Sequence, residues 1–183
     1  MGKNNPADLS DKQNKEFWDQ GYLFFPSALE QSDVVRLQEE ASRILELVVN
    51  AMRYHDRQSR RLNIVEASGG EQVALSLLPF FDLSLTLRRF GQVFVTRLLD
   101  QLIDGNSIAL SNLSQLNYKQ TLPTTFDFEF HQSEDEWPPH SDWRTFEGWG
   151  PERMIVSVVF VDECTEKNGA LSAWPGTHTE RFN

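Results

Sequence analysis

The segment Pro139-His140-Ser141-Asp142-Trp143 carries the residue types that most directly suggest chemistry. In an extended strand, the side chains of residues i and i+2 lie on one face, so the His140 imidazole and the Asp142 carboxylate would lie side by side. One nitrogen and one oxygen in this arrangement can bind a single metal ion. A second imidazole from elsewhere would complete a facial triad of two histidines and one carboxylate, which leaves coordination positions open for reactants.

Further motifs occur in a fixed order around this pair. They are an aromatic opening at Phe17 to Phe25, Asn117-Tyr118-Lys119 before the pair, and Asn168-Gly169-Ala170-Leu171 and Pro175-Gly176-Thr177-His178 after it. With these motifs the chain resembles the phytanoyl-CoA dioxygenase family, the Fe(II)/2-oxoglutarate oxygenases that include ectoine hydroxylase. The resemblance extends over residues 10–178, which is nearly all of the chain.

The resemblance implies a function and a set of site residues. His140 and Asp142 would bind Fe(II), and Asn117 would help to bind the co-substrate 2-oxoglutarate. Trp143 and Thr145 would line the pocket of a small-molecule substrate. The reaction implied is hydroxylation of an unactivated C–H bond with O2.

Two departures from the family pattern affect this expectation. Leu113 and Phe146 stand where the ectoine hydroxylases have a pocket glutamine and a pocket tryptophan, so ectoine itself is not expected as the substrate. The family's third ligand, a distal histidine, and the arginine that anchors 2-oxoglutarate follow the Pro-Gly-Thr-His motif, and the sequence has only five residues after His178. A second interpretation is therefore a truncated, non-catalytic remnant or a binding module of the same fold.

Other polar residues have simpler explanations than catalysis. His131 would give a zinc site together with His140 and Asp142, but three ligands are one short of a closed structural site. A histidine exposed on a strand or loop is the commoner case. Cys164 has no obvious neighbouring base in the sequence, so a nucleophilic role is not expected.

Length and charge exclude several classes of protein. The 183 residues fit one domain, and 17 basic against 27 acidic residues give a net charge of −10. Such a surface repels phosphate backbones and anionic lipids, so neither nucleic acid nor a membrane is expected as a partner. The single cysteine, Cys164, excludes an internal disulfide, and the N-terminus lacks the apolar stretch of a secretory signal. A cytoplasmic location is expected.

The first part of the chain predicts helices that would support the metal motif. Ser10 and Gln13 form a capping box at the start of a helix that ends at Gly21 and turns Phe17 and Trp18 inward.

A short strand is predicted at Tyr22–Phe25, followed by a helix capped by Ser32. Apolar residues recur at helical spacing in that second helix: Val34, Leu37, Ala41, Ile44, Leu45 and Val48. A third helix is predicted over residues 84–103.

Strands predominate in the prediction after Gly105. They are expected at Ile108–Leu110, Ser114–Lys119, Met154–Val161 and Ala170–Trp174, and the β-branched residues of the third favour a buried strand. This order predicts one α+β domain, mainly β with N-terminal helices. Residues 1–105 would be a helix-rich support, and residues 106–183 would form the first part of a cupin-like jelly roll, the double-stranded β-helix that the resemblance implies. An unfinished barrel would leave apolar side chains exposed, so self-association through that surface is expected.

Overall fold

The computed structural model describes residues 8–55, 62–66, 72–77, 83–103, 114–118, 155–166 and 170–179. The helices are α1 (Asp11–Gln20), α2 (Gln31–His55), α3 (Leu85–Phe90) and α4 (Thr96–Asp100), with a π-helical turn (Gly91–Val95) between the last two. The strands are β1 (Leu62–Glu66), β2 (Gln72–Leu77) and β3 (Leu116–Asn117), and Thr177–Thr179 forms a 3₁₀ turn. The predicted strand Ile108–Leu110 lies outside the described residues.

Helix α1 begins and ends where the sequence predicts. The Ser10 hydroxyl accepts the Gln13 N–H at 3.3 Å and the Gln13 side chain accepts the Ser10 N–H at 3.0 Å, which completes the capping box. Gly21 ends the helix with a φ of 87° and donates its N–H to the Phe17 carbonyl. The prediction that Trp18 turns inward is wrong, because α1 buries none of its residues and the Trp18 side chain is 54% exposed.

Helix α2 forms the centre of the hydrophobic core. Leu37 and Ile44 lie seven residues apart, which places them on one face of the helix, and both are buried as their spacing predicts. They pack with Leu77 of β2 and Leu87 of α3. The core therefore lies where α2, α3 and the sheet meet.

Two predictions near the start of α2 are wrong. The helix begins at Gln31, so Ser32 lies within its first turn and not at the cap. The predicted strand Tyr22–Phe25 has no regular secondary structure. Pro26 lacks an N–H, and Ser27 adopts a φ of 55°, so the chain turns here and does not continue as an extended strand.

The sheet joins the helix-rich part of the chain to the later part. Strands β1 and β2 form an antiparallel pair. Helices are predicted in this part of the chain, and this pair is not predicted. Strand β2 also pairs antiparallel with β3, which places Leu77 opposite Leu116 and Ser76 opposite Asn117. Strand β3 confirms the centre of the predicted strand Ser114–Lys119.

The predicted third helix is present, but a π-helical turn interrupts it. The Thr96 N–H donates to the Gly91 carbonyl, five residues back, whereas an α-helix bonds four residues back. The Thr96 hydroxyl donates to the Gln92 carbonyl within the same turn. Across the junction, the rings of Phe90 and Phe94 stack with their centroids 5.1 Å apart.

Hydrogen bonds among Glu40, Arg43 and Ser84 connect the start of α3 to α2. The buried Ser84 hydroxyl accepts the Leu87 N–H at 3.1 Å as the N-cap of α3 and donates to the Glu40 carboxylate of α2. Arg43 donates two further hydrogen bonds to that carboxylate, at 2.7 and 2.8 Å. The Arg43 contact, more than any other, lowers the pKa of Glu40 to about 2, so the carboxylate is ionised at neutral pH.

The strand predictions for Met154–Val161 and Ala170–Trp174 are wrong for the described residues, 155–161 and 170–174, which have no regular secondary structure. Nor is the first of them buried, because Val156, Val158 and Phe160 expose their side chains. An extended segment needs neighbouring strands to pair with its backbone and a second layer to cover its side chains, and no described strand pairs with this one. The sequence also predicts that these two segments expose apolar side chains, and the structure confirms this.

The described residues form helices and an antiparallel sheet, so they agree with the α+β class. They are mostly helical, against the expectation of a mainly β protein. The rest of the expected jelly roll involves residues outside the described ranges and stays a prediction. In the part of the chain that the structure describes, no helix is both long and apolar enough to cross a membrane.

Candidate functional site

Asn117 lies on β3 between two side chains that face the core. Leu116 and Tyr118 both pack against the cluster around Ile44. Since side chains alternate along a strand, Asn117 points to the opposite face of the sheet, and it is exposed there. The residue predicted to bind 2-oxoglutarate therefore lies on the side of the sheet that α2 does not cover.

The Tyr118 side chain holds β3 against α2. Its hydroxyl donates to the Ala41 carbonyl of α2 at 2.9 Å. Burial raises the pKa of Tyr118 to about 12, because the phenolate would lose its hydration. The hydroxyl is therefore protonated at neutral pH and can donate this bond. This contact with α2 and the pairing of β3 with β2 together orient β3, and with it Asn117.

A second polar contact attaches a later segment to α2. The Gln38 side-chain amide donates to the Val161 carbonyl and to the Asp162 carboxylate, each at 2.7 Å. The Val161 side chain also packs against the core cluster. Helix α2 therefore holds both β3, which precedes the His-x-Asp motif in the sequence, and the end of the segment that follows this motif.

The predicted metal ligands His140 and Asp142 lie outside the described residues, as do the predicted pocket residues Trp143 and Thr145 and the alternative zinc ligand His131. Their roles stay predictions. Among the residues that the structure describes, no three His, Cys, Asp or Glu side chains lie close enough together to hold a metal ion. Of the predicted site residues, Asn117 lies within the described part of the chain.

His178 makes a contact that the sequence analysis did not predict. Its Nε2 lies 3.0 Å from the Trp18 carbonyl, and because a carbonyl can only accept, Nε2 carries the proton and donates. Gly176 donates its N–H to the Gln20 carbonyl at 2.8 Å. The Pro-Gly-Thr-His motif thus lies against the end of α1. No local sequence pattern indicates a contact between residues 160 positions apart.

Comparison with known proteins identifies one related family. The model of the phytanoyl-CoA dioxygenase (PhyH) family matches residues 17–183. No curated protein and no solved structure matches the chain. The matched residues include the His140-Ser141-Asp142 motif and Asn117, so the family relationship extends over every predicted site residue.

Proposed function

The chain belongs to the phytanoyl-CoA dioxygenase family, whose members are Fe(II)/2-oxoglutarate dioxygenases, and from this premise we propose that it hydroxylates an unactivated C–H bond of a small molecule. The observation that carries the proposal is the family match over residues 17–183, which contains the His140-Ser141-Asp142 motif. The co-substrates are 2-oxoglutarate and O2. Within the family, we place the chain in the ectoine-hydroxylase-like subtype. Its substrate is proposed to be a small molecule other than ectoine.

The proposed metal ligands are the His140 imidazole and the Asp142 carboxylate. Their i, i+2 spacing would place both on one face if the segment is extended, and their donor types suit a non-haem iron centre. When bound, iron would supply the centre at which O2 is the oxidant, with 2-oxoglutarate oxidised to succinate and CO2 as the C–H bond is hydroxylated. A carboxylate at residue 142 favours hydroxylation, because related halogenases have glycine or alanine at that position.

Asn117 is proposed to donate a side-chain hydrogen bond to a carboxylate of 2-oxoglutarate. Two observations support this role: the Asn117 side chain is exposed on the sheet face away from α2, and Tyr118 holds its strand in that orientation through the bond to Ala41. Trp143 and Thr145 are proposed to line the substrate pocket and to hold the target C–H bond beside the metal centre.

The test is succinate formation by the chain with added Fe(II), 2-oxoglutarate and O2. We expect Asp142→Ala to abolish both iron binding and succinate formation. Ser141→Ala is the matched control, because residue 141 would face away from the ligands, and it should keep most of the wild-type rate.

Asn117→Ala should bind iron normally and raise the apparent KM for 2-oxoglutarate about tenfold, the cost of one hydrogen bond to a charged group. Turnover that survives Asp142→Ala would refute the ligand assignment.

The exposed apolar side chains within residues 156–160 favour a second candidate function, a non-catalytic binding module of the same fold that associates with itself through this surface. Sedimentation velocity over a range of protein concentrations, run beside the succinate assay, distinguishes the two. A binding module forms concentration-dependent oligomers and produces no succinate with iron present. A monomer that forms succinate contradicts this second function.

A further inference from the structure

We propose that the Pro-Gly-Thr-His motif is a latch for helix α1, and that α1 and the turn at residues 175–179 open and close together while the core stays folded. The proposal goes beyond the oxygenase function and does not depend on it. It rests on the contacts at the two ends of α1.

The latch supplies partners to the end of α1. The last carbonyl groups of an α-helix have no partners within the helix. In α1 the Trp18 carbonyl accepts the His178 Nε2–H at 3.0 Å, and the Gln20 carbonyl accepts the Gly176 N–H at 2.8 Å. Gly21 completes the end of the helix through its own bond to the Phe17 carbonyl, at 2.7 Å. A distant segment therefore provides two of the three hydrogen bonds described here.

The His178 ring also packs directly against Gly21. A Cβ atom at residue 21 would lie 2.3 Å from the ring Nδ1, so no larger residue fits while the latch is closed. Gly176 provides a natural comparison, because its φ of 79° is also left-handed but a Cβ there would meet nothing within 4 Å. Alanine at residue 176 adds only backbone strain, whereas alanine at residue 21 adds strain and a clash with the ring.

The rest of α1 is held by hydrogen bonds and not by burial. None of its residues is buried. Near its start, the Leu9 N–H and the Asn14 side chain both donate to Gln101, at 2.6 and 3.1 Å. Helix α2, in contrast, buries Leu37 and Ile44 in the core. A helix with no fully buried side chain opens at a lower free energy than the core does. Helix α1 therefore detaches before α2 unfolds.

Native-state hydrogen exchange of the full chain tests the latch, and the wild-type protein alone gives a first answer. We expect the α1 amides that bond within the helix and the Gly176 amide to share one protection factor, well below that of the α2 amides around Ile44. His178→Ala should lower both α1 and Gly176 protection by about three- to tenfold, the loss of one hydrogen bond, and leave α2 unchanged. His178→Gln, whose amide can still donate, should recover part of the protection.

The glycine variants test the ring contact separately. Gly21→Ala should lower α1 protection more than Gly176→Ala does, and addition of His178→Ala to Gly21→Ala should remove the excess, because the clashing ring is gone. Independent exchange of α1 and Gly176 in the wild-type protein, or α1 protection equal to that of α2, overturns the latch. Additive effects of Gly21→Ala and His178→Ala overturn the ring contact on which it rests.

Discussion

Helix α2 and residues 155–161 are both rich in apolar residues, yet of these two segments only α2 has fully buried side chains. Leu37 and Ile44 lie in the core, whereas Val156 and Val158 are exposed. A helix satisfies its own backbone hydrogen bonds and needs cover on one face only. An extended segment needs neighbouring strands for its backbone and further structure to cover its side chains. Apolar content therefore predicts burial for a helix face, but for a strand it predicts burial only when the partners are known.

The largest expected effect is on the buried face of α2. Ile44→Ala should destabilise the protein by about 2–5 kcal/mol, because it deletes buried methyl groups and leaves a cavity. The side chain of Ile44 is 1% exposed, and that of Leu47, on the same helix, is 55% exposed. Leu47→Ala is therefore the control and should change the free energy of unfolding by no more than about 0.5 kcal/mol. Urea denaturation measures both, and equal costs would contradict the assignment of the buried face.

The next effect concerns the hydrogen bonds that connect the start of α3 to α2. Ser84→Ala should cost about 1–2 kcal/mol, because it removes the N-cap of α3 and a donor to Glu40. Ser32→Ala is the matched control: the sequence predicts this serine as a cap, but the structure places it inside the first turn of α2. Thermal unfolding of both variants distinguishes the predicted cap from the observed one. A larger loss for Ser32→Ala would favour the sequence prediction.

A smaller effect is expected where β3 meets α2. Tyr118→Phe should cost about 0.5–1.5 kcal/mol at neutral pH through the lost bond to the Ala41 carbonyl. The pKa of Tyr118 is raised from 10.0 to about 12, so its contribution to stability is complete below pH 10 and is lost as the pH rises from 10 towards 12.

Urea denaturation at several alkaline pH values measures this dependence. The Tyr118→Phe variant should lose stability less steeply between pH 10 and pH 12 than the wild-type protein does. If the free energy of unfolding of Tyr118→Phe falls between pH 10 and pH 12 as steeply as that of the wild-type protein, Tyr118 is not buried against α2.

The smallest effect is expected in the exposed segment. Val158→Thr should change the free energy of unfolding by no more than about 0.5 kcal/mol, because the Val158 side chain is 51% exposed. Val161→Thr, three residues later, should cost more, because Val161 packs against the core cluster and threonine brings a hydroxyl into that contact. Chemical denaturation compares the two variants. A large cost for Val158→Thr would show that this segment is covered and would remove the contrast with α2.

The helices were predictable because their signals are local. The capping box at Ser10 and the apolar spacing of Leu37 and Ile44 lie within a few turns of chain, and the structure confirms both. Gly69-Gly70, between two apolar runs, is a sequence signal for the antiparallel pair of β1 and β2, in a part of the chain where the other local signals predict helices.

The tertiary contacts were not predictable in the same way. The pairing of β2 with β3 and the contact of His178 with Trp18 join residues far apart in the sequence, and no periodicity encodes such partners. For the candidate site, alternation along β3 explains why Asn117 is exposed once Tyr118 is known to bond to α2. The metal ligands themselves were inferred from spacing and resemblance, and they stay predictions.

The π-helical turn at Gly91–Val95 has a consequence for how this chain tolerates changes in length. Such a turn contains one residue more than an α-helical turn requires. Deletion of Val93, whose side chain is exposed, would let the turn close as a regular α-helix with Phe90 and the residues beyond Thr96 still on their present faces. A one-residue deletion within α2 before Ile44 would instead rotate Ile44 by about 100° relative to the preceding turns of the helix and out of the core. One-residue deletions during evolution should therefore be accepted at this turn and rejected in α2 before Ile44.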